Sequence, residues 1–95
     1  MSMIKKEEID RKINVLLEEL GFEKCILDDN KIYRYHQEYY KFTFLNKFQA
    51  YVIECALTLE EAEKNRFEDG DLYPISLQEK FIDTLRSDLL HYYIS

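Results

Sequence analysis

The chain has 95 residues, 46% of them hydrophobic and 34% charged, with 2 Gly, 1 Pro and a formal net charge of −6. That length has room for one domain, and its apolar content exceeds that of disordered chains, so a single ordered core is expected. The acidic balance argues against nucleic acid as a partner, which needs Lys and Arg clustered on one face, and no apolar run reaches the length of a membrane span.

The N-terminal residues carry too many charges for a secretory signal, so the expected location is cytoplasmic. There Cys25 and Cys55, each alone in an apolar stretch, are expected to stay reduced and pack as small hydrophobes. The charge is unevenly placed. Residues 1–47 hold nine acids and nine bases, whereas residues 48–95 hold ten acids and four bases. The second half therefore carries the whole imbalance, which favours a basic partner attracted at long range.

Ile9, Ile13, Leu16 and Leu20 recur at helical spacing, which predicts an amphipathic helix over residues 3–20, ended by Gly21 in a left-handed conformation. From residue 22 the period changes. Residues 22–27 read as a strand and Asp28-Asp29-Asn30-Lys31 as a turn. Residues 32–37, 39–45 and 48–56 follow, rich in aromatic and β-branched side chains. Asn46-Lys47 reads as a two-residue hairpin turn. The Gln37-Glu38 connection could instead lie within one long bent strand. Tyr40, Phe42 and Phe44 share one strand face, and Tyr51, Ile53 and Cys55 share another.

Two capping boxes, Thr58-Leu59-Glu60-Glu61 and Ser76-Leu77-Gln78-Glu79, announce two helices. The first is expected over residues 59–67, ended by Asp69-Gly70-Asp71. The second carries Leu77, Phe81, Leu85 and Leu89 on one stripe and runs to Tyr92. Between them Glu68-Asp69-Gly70-Asp71-Leu72-Tyr73-Pro74 reads as an acidic loop. The whole predicts an α+β domain spanning residues 1–95. It has an N-terminal helix, an antiparallel meander of three to four strands, then a short and a longer helix packed on one sheet face.

Cys25, His36, Cys55 and His91 are too isolated for a zinc site, which draws its ligands in close pairs, so no metal or other cofactor is expected. His36 and Glu38, at i and i+2 on one strand, could do acid–base work, although an exposed polar face explains them equally well. With no phosphate loop and no nucleophile elbow, no enzyme is expected. Partner binding is the better expectation. From Glu54 to Asp71, seven acids stand against Lys64 and Arg66. The candidate contact residues are Glu60, Glu61, Glu63, Glu68, Asp69 and Asp71, with Tyr73 as the apolar anchor that charge alone cannot supply. A solvated helix face is the plainer account of the same charges. Tyr33, Tyr35 and Tyr39, on a strand face that the helices could leave bare, form a second candidate surface.

Three stretches carry a resemblance: residues 32–42, Ile-Tyr-Arg-Tyr-His-Gln-Glu-Tyr-Tyr-Lys-Phe; residues 51–56, Tyr-Val-Ile-Glu-Cys-Ala; and residues 59–65, Leu-Glu-Glu-Ala-Glu-Lys-Asn, with the acidic residues 68–74. Together they resemble the small bacterial immunity proteins of contact-dependent growth inhibition, TriTu type. The resemblance implies an antidote that binds the toxin domain of a large exported protein, a tRNA-cleaving nuclease that in some systems works with elongation factor Tu. It implies no particular functional residues. A cytosolic adaptor acting through homodimerisation is the alternative that the composition also allows.

Overall fold

The computed structural model describes residues 5–27 and 30–94. Helix α1 (Lys6–Glu19) buries Ile9, Ile13, Leu16 and Leu17 along one stripe. It ends as the glycine predicts. Gly21, at φ 93°, donates its N–H to Glu18 O at 3.1 Å, and the Phe22 N–H reaches Leu17 O at 2.9 Å. This is the paired Schellman closure that a left-handed residue permits.

Five strands follow, β1 (Glu23–Leu27), β2 (Asn30–Tyr35), β3 (Glu38–Leu45), β4 (Ala50–Ala56) and β5 (Glu68–Pro74), paired antiparallel in the order β1-β2-β3-β4-β5. The α+β class and the meander are as read from the sequence, with one strand more. Helix α2 (Leu59–Glu63) joins β4 to β5. A 3-10 turn (Ile75–Leu77), α3 (Lys80–Asp88) and a π-helical turn (Leu89–Tyr93) complete the chain.

Local chemistry explains where the elements depart from expectation. His36-Gln37 is the turn between β2 and β3, with Tyr35 opposite Glu38 and His36 at φ 55°. A positive φ at the first central residue suits a tight hairpin, so two strands form, not one bent one. The β3–β4 connection takes the four residues 46–49, since Leu45 pairs with Ala50 and Gln49 supplies the positive φ of 47°. Of the turn expected at residues 28–31, Asp28 and Asp29 lie outside the described residues, while Asn30 and Lys31 already belong to β2.

Thr58 caps α2 as its motif predicts, accepting the Glu61 N–H at 3.1 Å. The helix stops early because Asn65 adopts φ 56°, with Asn65 N–H on Ala62 O and Arg66 N–H on Glu61 O at 2.8 Å. Asparagine thus does at residue 65 what glycine does at residue 21. The second capping box does not form. The Ile75 N–H extends the sheet pairing to Gln49 O, Ser76 falls inside the 3-10 turn, and α3 starts at Lys80 without a side-chain cap. A capping side chain needs extended backbone, which Pro74 has and Ser76 lacks.

The register fixes two sheet faces. Tyr40, Phe42 and Phe44 lie opposite Cys55, Ile53 and Tyr51, on the face covered by α1 and α3. Tyr33, Tyr40, Tyr51, Ile53 and Tyr73 meet Phe81, Leu85 and Leu89 there as the core. On the other face Ile32, Ala50, Val52 and Ala56 are buried outside that core, and α2 buries Ala62.

Candidate docking edge

Strand β5 forms one edge of the sheet and holds three of the acids singled out from the sequence. Glu68 pairs with Cys55, Asp69 with Glu54, Leu72 with Val52 and Tyr73 with Tyr51. The register shifts between Val52 and Glu54, so Gly70 and Asp71 together oppose Ile53 as a β-bulge. Gly70 is required there. A Cβ on it would sit 2.6 Å from the Tyr93 hydroxyl, 2.9 Å from Ile53 Cγ2 and 3.2 Å from Ile53 O. What the sequence presents as an acidic loop that ends a helix is thus a bulged edge strand. Its charges and terminal proline are devices that keep an edge from pairing with its own kind.

Helix α2, which carries Glu60, Glu61 and Glu63, leaves β4 at the same end of the sheet at which β5 returns with Glu68 opposite Cys55. Of these acids and Asp69, all except the half-buried Glu61 are exposed. Glu60 pairs with Lys64 at 2.8 Å, an exposed bridge of small energetic consequence. Asp71 accepts the Tyr93 hydroxyl at 3.1 Å. Among the described residues Glu61, Glu63, Glu68 and Asp69 enter no salt bridge. Lys41, opposite Glu54 on β3, is engaged with Asn65 at 2.6 Å and lies over the Phe67 ring.

The aromatic candidates are redistributed. Tyr73 is 2% exposed and is part of the core, so it cannot anchor a partner. Beside it Leu72, 50% exposed, occupies the surface position that Tyr73 was expected to fill. Alternation along the strand decides this, because consecutive side chains point to opposite faces. Tyr33 is also buried, under α1, and Tyr35 packs against Phe22 at 5.0 Å between centroids. Tyr39 alone of the three is on the opposite face, half-buried. Tyr33, Tyr35 and Tyr39 therefore make no common surface.

Five tyrosines place their rings against the core and their hydroxyls on polar partners, four of them distant in sequence. Tyr33 donates to Asn14, Tyr51 to Asp10, Tyr73 to Asp88 at 2.7 Å, Tyr40 to Glu38 at 2.8 Å and Tyr93 to Asp71. Burial, reinforced by the adjacent acids, raises these phenols, that of Tyr33 to about 12. No sequence pattern announces such pairs, because the partners lie as far as 41 residues apart.

His36 and Glu38 do not share a face: His36 stands exposed in the turn with its ring against Tyr35, and Glu38 opens β3. The Glu38 carboxylate is occupied by the Tyr40 hydroxyl and by the Cys55 thiol at 3.7 Å. Burial, then Glu38, pushes that thiol up to about 11, which opposes nucleophilic use. Cys25 and Cys55 are both half-buried and sit on opposite sheet faces. Among the described residues no three His, Cys, Asp or Glu side chains are grouped to hold a metal ion, and no helix is long and apolar enough to cross a membrane.

Comparison with known protein families, with curated proteins and with solved structures finds no match to this chain.

Proposed function

We propose that this chain is a cytoplasmic immunity protein, itself no enzyme, that neutralises a basic nuclease domain by docking it against the acidic β5–α2 edge. The observation that carries this reading is the pair of exposed acids Glu68 and Asp69, in no salt bridge among the described residues, on the edge strand β5 beside an exposed Leu72, with Glu61 and Glu63 in the segment that leads into it. Complementary charge speeds encounter and rejects wrong partners, while a desolvated apolar side chain slows release. The nuclease is a tRNA-cleaving toxin domain of a contact-dependent inhibition system, in line with the resemblance of residues 32–42, 51–56 and 59–65 with 68–74, and the complex could extend to elongation factor Tu.

Binding kinetics against the toxin domain encoded by the adjacent reading frame, at two salt concentrations, test the reading. Reversing Glu68, Asp69 and Asp71 to Lys is expected to slow association by about tenfold or more and to flatten its salt dependence. Leu72→Ala is expected to speed dissociation with little change in association. Unchanged rates for both variants would leave the acidic edge as solvated surface. A homodimer with no basic partner would favour the adaptor alternative.

A further inference from the structure

A second surface, on the opposite layer of the molecule, has the reverse character. Helices α1 and α3 lie side by side, bridged by Arg86 to Glu19 at 3.3 Å. Between them runs a groove of about 210 Å³. Its floor is apolar: Leu16 at the bottom, with Val15, 51% exposed, and the half-buried Ile82 as walls. Its rim is cationic. Arg11, Lys12 and Arg86 stand there against the single carboxylate of Glu19. Arg86 is shared with Glu19 and Asp83, but among the described residues Arg11 and Lys12 have no ion-pair partner. In a chain of net charge −6, Arg11 and Lys12 thus stand as cations without an ion-pair partner among the described residues, beside an apolar floor.

We propose that the α1–α3 groove docks an amphipathic helix of a partner protein whose apolar stripe is flanked by carboxylates. The volume is below the roughly 300 Å³ at which small-molecule pockets begin, which suits one or two inserted aliphatic side chains better than a cofactor. A helix laid into a groove uses apolar anchors at i, i+3, i+4 and i+7, and flanking carboxylates would meet Arg11, Lys12 and Arg86. The charge preference is opposite to that of the β5–α2 edge, so the groove serves a different ligand from the basic domain proposed above and does not rest on that proposal.

Two fluorescein-labelled peptides of equal length provide the test. Each carries leucines at i, i+3, i+4 and i+7, one with glutamates and the other with lysines at the remaining positions. Anisotropy is expected to show the glutamate peptide binding at least about tenfold tighter than the lysine peptide, with affinity falling as salt rises. Val15→Glu and the double variant Arg11→Glu, Lys12→Glu should each weaken it by about tenfold or more, with melting curves confirming that the variants fold. Because both sets alter exposed positions, either one suffices should the other fail to fold. Leu72→Ala, which alters the acidic edge without changing charge, should leave glutamate-peptide binding unchanged, which separates the two surfaces. No saturable binding, equal affinity for the two peptides, or affinity indifferent to the variants that fold would overturn the proposal.

Discussion

Tyr73 on β5 donates its hydroxyl hydrogen to Asp88 at the end of α3, 2.7 Å away, and its ring lies 6.1 Å from that of Phe81 on the same helix. The edge strand that carries the acidic charge is therefore pinned to the last helix by a core residue. Two chemically different contacts, an apolar ring and a hydroxyl, hold one side chain.

Those contacts separate by substitution. Tyr73→Phe keeps the ring and loses the hydrogen bond, at an expected cost of about 0.5–1.5 kcal/mol, because the half-buried Asp88 can turn to water. Tyr73→Ala also removes the ring from the core and should cost about 3–5 kcal/mol. Urea unfolding of the two variants measures both. Equal losses would show that the ring packs loosely.

Alkaline stability follows from the buried phenols. Tyr33, Tyr40, Tyr51 and Tyr73 all titrate above the ordinary tyrosine value in the folded chain, chiefly because burial penalises the phenolate. The unfolded chain releases these protons near pH 10, so above that pH it binds fewer protons than the folded chain. Stability should be fully present below about pH 10 and fall as pH rises toward the folded-state values. Each tyrosine contributes a loss of about 1.4 kcal/mol per pH unit. Denaturant midpoints measured from pH 8 to 11, with absorbance following tyrosinate, read this directly. A midpoint that stays flat through pH 11 would contradict the burial of these phenols.

Gly70 should resist replacement even though it lies within an exposed, charged strand. Its missing Cβ makes room for the Tyr93 hydroxyl and for Ile53, so Gly70→Ala should cost about 1–3 kcal/mol through local overpacking. Adding Tyr93→Phe removes the nearest clash and should restore part of the loss, whereas Tyr93→Phe alone should not stabilise. A thermal melt of the single and double variants is enough. Gly70→Ala with native stability would mean that the bulge relaxes freely.

Much of this fold is legible in the chain, and the reasons are local. The stripe Ile9, Ile13, Leu16 and Gly21 after it specify α1 and its end, since both the helical period and the left-handed stop depend on residues within a few positions. The alternation through Tyr40, Phe42, Phe44 and Tyr51, Ile53, Cys55 assigns which side chains share a face, because strand geometry leaves only two. Thr58 reads correctly as a cap for the same reason. The chain also determines its net charge and the half that carries it.

What residues 68–74 become is settled by contacts made elsewhere. An acidic run with a glycine and a proline has the composition of a loop, and only the unpaired edge of β4 turns it into a strand, with the bulge at Gly70 absorbing the mismatch beneath Ile53 and Tyr93. That pairing sends Tyr73 inward to Phe81 and Asp88, leaves Leu72 outside and puts Glu68 and Asp69 at the rim. A strand's register cannot be read from its own residues when the partner's hydrogen bonds fix it, and a shift of one position exchanges every inward side chain for an outward one.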